Sequence, residues 1–317
     1  MTAARPLKLI DAHTHTQPTA AATTAFMANL ERPAAGEGTT NELILWMDEA
    51  DIEWTMIVSF IPAQERVARA VSQGVDRDQA VQNVLLEWHQ LNSWAAGAAR
   101  SNPRRLKSVV GVDPVLMTPG QVADEIGTQL SAGASGIKIA PMFLGVPPDD
   151  EIMEVVWRLA VQHDVPVLSE SGASSYREHA AWGHPRNFES VLRSYPSLRL
   201  QLAHLGQGAE DDISGLVRDR ENVITDTALR FGGLGGLPVD ATATLEAIRL
   251  IGPEHVAFGT NYPIVDQRAY AAALRSVGLS ATELQQVGHD NAARIWGNRY
   301  VVRSCQGASA SSVRLWW

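Results

Sequence analysis

Eight short runs of apolar and β-branched residues recur along the chain, at Leu7–Ala12, Thr55–Ile61, Lys107–Val112, Ser135–Ala140, Val165–Leu168, Leu198–Ala203, Val223–Thr227 and Val256–Thr260. Most are continuous rather than strictly alternating, which suits strands buried on both faces of a parallel sheet. Between them lie segments with helix signals. Thr39-Thr40-Asn41-Glu42 reads as a capping box ahead of Leu43, Met47 and Ala50 on one face. Thr118-Pro119-Gly120-Gln121 repeats the signal, with proline at the first helical position and Val122, Ile126 and Leu130 four apart. Asp149–His163 carries Ile152, Val155, Val156 and Leu159. Strand followed by helix, eight times over, predicts an α/β fold of the (β/α)8 barrel type rather than a doubly wound sheet.

A chain of 317 residues, 45% hydrophobic and 19% charged, is long enough to fill one such barrel. We expect a single barrel over residues 1–300 and a small, polar, disordered tail over 301–317. Two stretches interrupt the rhythm: Thr16–Gly38 after the first strand and the long helix Asp76–Arg100 after the second. Insertions at strand C-termini usually shape a substrate pocket.

The net charge of −9 argues against nucleic acid or an anionic membrane as partner and leaves a small molecule. Homo-oligomerisation stays open. Cys305 has no cysteine to pair with, so a reducing cytoplasm is the expected compartment. Met1 to Lys8 shows no apolar leader, and no apolar stretch reaches the roughly 18 residues of a bilayer span. Gly-x-Ser-x-Gly and phosphate-loop patterns are absent, and Gly232-Gly233-Leu234-Gly235-Gly236 lacks dinucleotide spacing.

Polar residues cluster where the strands end. His13 and His15 close the first strand, and residues two apart in an extended segment face the same side. Lys138 ends the fourth strand, on the opposite face from Ile137 and Ile139. Glu170 ends the fifth, where an unpaired carboxylate would be costly to bury; a salt bridge to Lys138 is its structural alternative. His204 ends the sixth, in Ala203-His204-Leu205-Gly206, and Asn261 follows the eighth, in Thr260-Asn261-Tyr262-Pro263.

These residues carry a resemblance. Asp11-Ala12-His13-Thr14-His15, Gly136-Ile137-Lys138, Pro166-Val167-Leu168, Leu202-Ala203-His204-Leu205-Gly206 and Phe258-Gly259-Thr260-Asn261-Tyr262-Pro263 resemble the amidohydrolase superfamily. The likeness points to the branch of aminocarboxymuconate-semialdehyde decarboxylase and pyrone-dicarboxylate lactonase. It extends from Ile10 to about Trp296, including a closing Asn-Ala-x-Arg helix at Asn291-Ala292-Ala293-Arg294.

The resemblance implies a divalent metal, zinc foremost, with manganese or iron as alternatives, held by His13, His15, His204 and Glu170. Two positions depart from the family pattern. Glu170 stands where histidine is usual, and Asn261 where the general-base aspartate is usual. The ligand set thus reads as exchanged, three nitrogens and one carboxylate. The base is displaced, because an amide cannot accept a proton from water. Glu170, His184, His179 and Asp226 are the alternatives; His184 can equally cap the following helix. Arg177 and Arg230 could grip a substrate carboxylate, and Trp46, Trp182 and Tyr262 could wall an aromatic pocket. The leading expectation is metal-dependent hydrolysis of a small carboxylated or cyclic substrate. Non-oxidative decarboxylation on the same ligands is the second, and a metal-free lactonase or silent barrel the third.

Overall fold

The computed structural model describes residues 7–28, 30, 32–172, 180–231 and 240–297. Eight parallel strands follow one another round a single sheet in chain order: β1 Leu9–Thr14, β2 Ile52–Val58, β3 Leu106–Gly111, β4 Gly136–Ile139, β5 Val167–Ser169, β6 Leu200–Leu202, β7 Val223–Asp226 and β8 Val256–Ala257. Closure comes from backbone contacts between the last strand and the first. Ala12 N–H donates to Phe258 O at 2.9 Å, Asn261 N–H to His13 O at 2.8 Å, and Thr14 bridges Tyr262 in parallel. The result is a (β/α)8 barrel.

Two apolar layers hold it. One lies between the strands and the surrounding helices, built from outward-facing residues such as Ile57, Val110, Ile137 and Val167. The other fills the barrel interior, from Ile10, Ala12, Trp54, Met56, Val109, Leu168, Ile224 and Ala257. The closing helix Asn291–Trp296 plugs the floor, adding Ala292, Ile295 and Trp296 to the inner layer.

Local signals mostly behave as the sequence expects. Thr118 forms a full capping box with Gln121, and Pro119 opens the helix Pro119–Ala132. Asp76 caps the long helix Arg77–Ser101. At Thr39 only half the box forms. Its hydroxyl accepts from Glu42 N–H, but the Glu42 carboxylate turns to Gly38 N–H, at 3.0 Å. Asp149–His163 splits into a turn of 3-10 helix, Glu151–Met153, and the helix Glu154–Gln162. Within the Thr16–Gly38 insertion lies a further helix, Ala20–Ala28. Among the described residues no helix is long and apolar enough to cross a membrane. The tail at 301–317 lies outside the described residues.

Candidate active site

Simple alternation along β1 would turn His13 away from the interior, because Ile10 and Ala12 already face the inner layer. The register breaks between Asp11 and Thr14, which pair with Thr55 and Ile57: three steps on β1 match two on β2. That bulge re-aims the strand end. His13 and His15 then both line one pocket at the C-terminal mouth of the barrel, with Lys138 from β4, Glu170 after β5, His204 after β6 and Asn261 after β8. The walls are hydrocarbon: Phe26 and Leu30 from the insertion, then Phe60, Phe143, Leu229 and Ile264. The pocket holds about 500 Å³, counting its open mouth.

The ring of His13 lies 5.1 Å from that of His15 and 5.2 Å from that of His204, centroid to centroid. Each imidazole is tied back through Nδ1. His15 Nδ1 meets Val58 O at 3.1 Å, and His204 Nδ1 meets Ala228 O at 3.0 Å. A carbonyl only accepts, so both Nδ1 atoms carry the proton and both Nε2 atoms present lone pairs. His13 Nδ1 meets Asp226 Oδ2 at 3.0 Å, while its Nε2 is buried without a protein partner.

Asp226 is fully buried and surrounded by donors. Its Oδ1 accepts from His204 N–H and Ala228 N–H, each at 3.0 Å, and its Oδ2 accepts from Gln201 at 2.6 Å as well as from His13. Burial alone would raise its pKa, but His13 beside it and these hydrogen bonds hold it well below the usual carboxylate range. Gly259 makes room for this pairing. A Cβ there would stand 3.0 Å from His13 Cβ and 3.4 Å from Asp226 Cβ.

Burial lowers all three imidazoles below their ordinary pKa, His204 to about 3, so they are neutral and available as ligands at neutral pH. Burial likewise pulls Lys138 down to about 8, against the opposing pull of Glu170 and Asp226. Among the described residues, one group of three donor atoms lies mutually within 4.8 Å: His13, His204 and Asp226. Both Asp226 oxygens are already occupied by hydrogen-bond donors, which gives that residue the role of orienting His13. Neither His15 nor Glu170 joins that group, although both line the pocket. The imidazoles of His13 and His204, with the buried Nε2 of His13 unpartnered, fit a divalent cation, and His15 lines the same pocket.

Other expected site residues lie elsewhere. His184 caps the 3-10 turn Pro185–Phe188, accepting from Arg186 N–H, and its Nε2 sits 3.5 Å from Asp212. It does not line the pocket. Arg230 is buried against Glu210, its Nη2 2.6 Å from that carboxylate, and it too lies off the pocket wall. Trp46 and Tyr262 pack on each other at 5.2 Å behind the rim, with the Tyr262 hydroxyl donating to Glu42. Trp182 is partly exposed. Arg177 and His179 lie outside the described residues. Residues the sequence did not single out for the wall, Phe26, Leu30, Phe60 and Phe143, come from loops and short helices with no periodic signature. Asp226 did carry a signal, a charge closing a buried strand, but its use as an orienting group shows only in three dimensions.

The amidohydrolase family model matches residues 10–297. None of the curated proteins matches the chain in sequence. Among solved structures, an uncharacterised TIM-barrel protein from Bordetella bronchiseptica superposes with a TM-score of 0.69 at 16% identity, covering 91% of this chain and 98% of its own. The 5-carboxyvanillate decarboxylase of Sphingomonas paucimobilis gives 0.61 at 17%, covering 92% and 99%. A dihydroxybenzoic acid decarboxylase from Polaromonas, solved with manganese and the inhibitor 2-nitroresorcinol, gives 0.65 at 15%, covering 92% and 97%. At these identities the likeness establishes the fold.

Proposed function

The chain belongs to the amidohydrolase family, and from that premise we propose that it is a metal-dependent decarboxylase of a small, planar, largely apolar carboxylic acid. One observation carries the reading: the pocket gathers neutral imidazoles, the Lys138 ammonium, the Glu170 carboxylate and the Asn261 amide among hydrocarbon side chains, with asparagine where a base would stand. Asn261 Oδ1 is buried without a protein partner, but an amide cannot take a proton from water. Hydrolysis needs that step. Loss of carbon dioxide needs a carboxylate held in place and a proton delivered to carbon. Two structural neighbours being decarboxylases, one with manganese and an aromatic inhibitor, supports the same choice.

His13, His15 and His204 would hold the cation through Nε2. Manganese and zinc both suit such a set. When bound, it supplies a positive centre for the substrate's oxygens. Phe26, Phe60, Phe143, Leu229 and Ile264 exclude water and hold the apolar body. Lys138 Nζ carries the proton. Its pKa of about 8 keeps it charged at neutral pH yet ready to give the proton up. The bond to the carboxylate carbon breaks, the electron pair stays on the ring or alkene carbon, and the Lys138 proton forms the new C–H bond. Carbon dioxide leaves, and a proton from water restores the ammonium, with hydroxide released to solvent. Glu170, on the same pocket wall, keeps Lys138 charged by its own negative charge.

Hydrolysis is the second reading, favoured by one feature. Glu170 is the one carboxylate among the described residues that line the pocket, and it could serve as base. The test is product analysis. Cation-loaded protein is offered hydroxylated aromatic acids beside lactones and amides, with carbon dioxide release and ring or amide opening measured in parallel. Cation-dependent carbon dioxide release is the expected result. Opening of lactones or amides without it would overturn the proposal in favour of hydrolysis.

A further inference from the structure

A file of buried hydrogen bonds runs down the barrel interior from the mouth to the floor. His13 Nδ1 meets Asp226 Oδ2 at 3.0 Å, Asp226 Oδ2 meets Gln201 Nε2 at 2.6 Å, and Gln201 Oε1 meets Trp296 Nε1 at 2.6 Å. Every member is at most 2% exposed. Gln201 is an amide at the centre of a parallel-strand barrel, a position the inner layer otherwise fills with residues such as Leu168, Ile224 and Ala257. Such a group persists in a core only with its donors and acceptors satisfied.

The direction of the file follows from its lowest member. An indole N–H can donate and cannot accept. The Gln201 carbonyl must therefore face Trp296, and its NH2 must face Asp226 and Ala12 O, the latter at 3.3 Å. Both of those are acceptors. With Gln201, His204 N–H and Ala228 N–H all donating to Asp226, that carboxylate is held as the anion, an acceptor toward its remaining partner, His13 Nδ1. The proton between Asp226 and His13 then sits on His13 Nδ1, and His13 Nε2 is left with its lone pair toward the pocket.

We propose that Gln201, locked by the Trp296 indole, is the positioning residue that holds Asp226 against His13 and so presents the His13 Nε2 lone pair at the site. The floor helix thereby sets the tautomer of a ligand at the opposite end of the barrel. This does not depend on which reaction the pocket carries out.

The test uses the full chain without metal, labelled with 15N-histidine, with the His13 signals assigned by their loss in His13→Asn. In the parent protein His13 should show a protonated Nδ1 and a bare Nε2. Gln201→Met should move those shifts toward a mixture of tautomers. It should also weaken Mn2+ binding, measured against a competing dye, by about 10–100-fold, the usual cost of losing a group behind a ligand. Trp296→Phe keeps the ring and removes the donor, and should shift both readouts the same way by less. Lys107→Met is the control. It removes the Lys107 Nζ bond to Trp296 O, at 2.8 Å, and loosens the same helix without touching the indole. It should leave His13 shifts unchanged and Mn2+ affinity within about twofold. Unchanged His13 shifts in Gln201→Met would overturn the proposal. So would equal effects of Lys107→Met and Trp296→Phe, which alone decide the matter if Gln201→Met does not fold.

Discussion

Asn261 joins three features that rarely meet: a φ of 67°, a backbone N–H bonded to His13 O at 2.8 Å, and a buried side-chain oxygen with no protein partner at the pocket. Asparagine and aspartate both tolerate left-handed backbone, so Asn261→Asp keeps the local conformation. It adds a negative charge beside the imidazole lone pairs. We expect cation affinity to rise by about tenfold or more, an estimate from the opposite-charge interaction at close range. Decarboxylation at saturating cation should fall, because the new charge repels the substrate carboxylate. A competition titration and kcat/KM on the same preparation check both. A gain in lactone or amide opening instead would mean that a base had been restored and that hydrolysis is the native chemistry. Lys138→Met should reduce turnover by about 10²–10⁴-fold, the usual contribution of a positioned proton donor, while an unreactive carboxylate analogue still binds in equilibrium dialysis.

Asp113, one residue beyond Val112 at the end of the third strand run, gives a pH prediction at the same scale. Burial raises its pKa from 3.8 to about 6, although Val115 and Leu116 N–H and Gln64 donate to it. A group whose pKa is raised on folding favours the folded state fully below its unfolded pKa. That contribution is lost as pH rises through about 6. That rise corresponds to roughly 3 kcal/mol. Asp113→Asn should flatten the dependence of unfolding free energy on pH between pH about 4 and about 7. The check is urea unfolding of both proteins at several pH values. Parallel curves would show that Asp113 does not titrate as described.

At the scale of elements, the long helix Arg77–Ser101 packs on β3 through a contact that tolerates no side chain. A Cβ at Gly111 would stand 1.9 Å from the Trp88 ring and 2.8 Å from Ser59 O. Asn92, on the same helix, exchanges two bonds of 2.9 Å with the Gly111 backbone. Gly111→Ala should therefore cost about 3 kcal/mol, at the upper end for overpacking, because a buried, rigid indole ring and the Ser59 backbone must both give way. Thermal unfolding would show it, and a loss under 1 kcal/mol would mean that the helix slides freely on the sheet.

For the whole molecule, β1 and β6 stand far apart in the order of the sheet, yet each contributes imidazoles to the pocket. A cation held by both ties the barrel together and binds only the folded chain. At 100 times its dissociation constant it should stabilise by about 2.7 kcal/mol, or on the order of 5 °C in Tm for a protein of this size. Scans in chelator and in excess Mn2+ measure the shift, and His204→Ala should abolish it. An equal shift in that variant would place the cation elsewhere.

The sequence determined the barrel and the rim. Its eight apolar runs could be buried only on both faces, and the polar residues closing them, His13, His15, Lys138, Glu170, His204 and Asn261, all line one pocket because every parallel strand ends on the same side. What lay beyond it depends on angles and on distant partners. The bulge in β1 that turns His13 inward, the diversion of His184 to Asp212 and of Arg230 to Glu210, and the hydrophobic wall from the insertion have no local signature. Neither has the file from Trp296 through Gln201 and Asp226 to His13, where 95 residues separate Trp296 from Gln201. Period and composition report which face of an element is buried. Which side chain meets which across the barrel is set by register and closure, and those exist only once the eight strands are assembled.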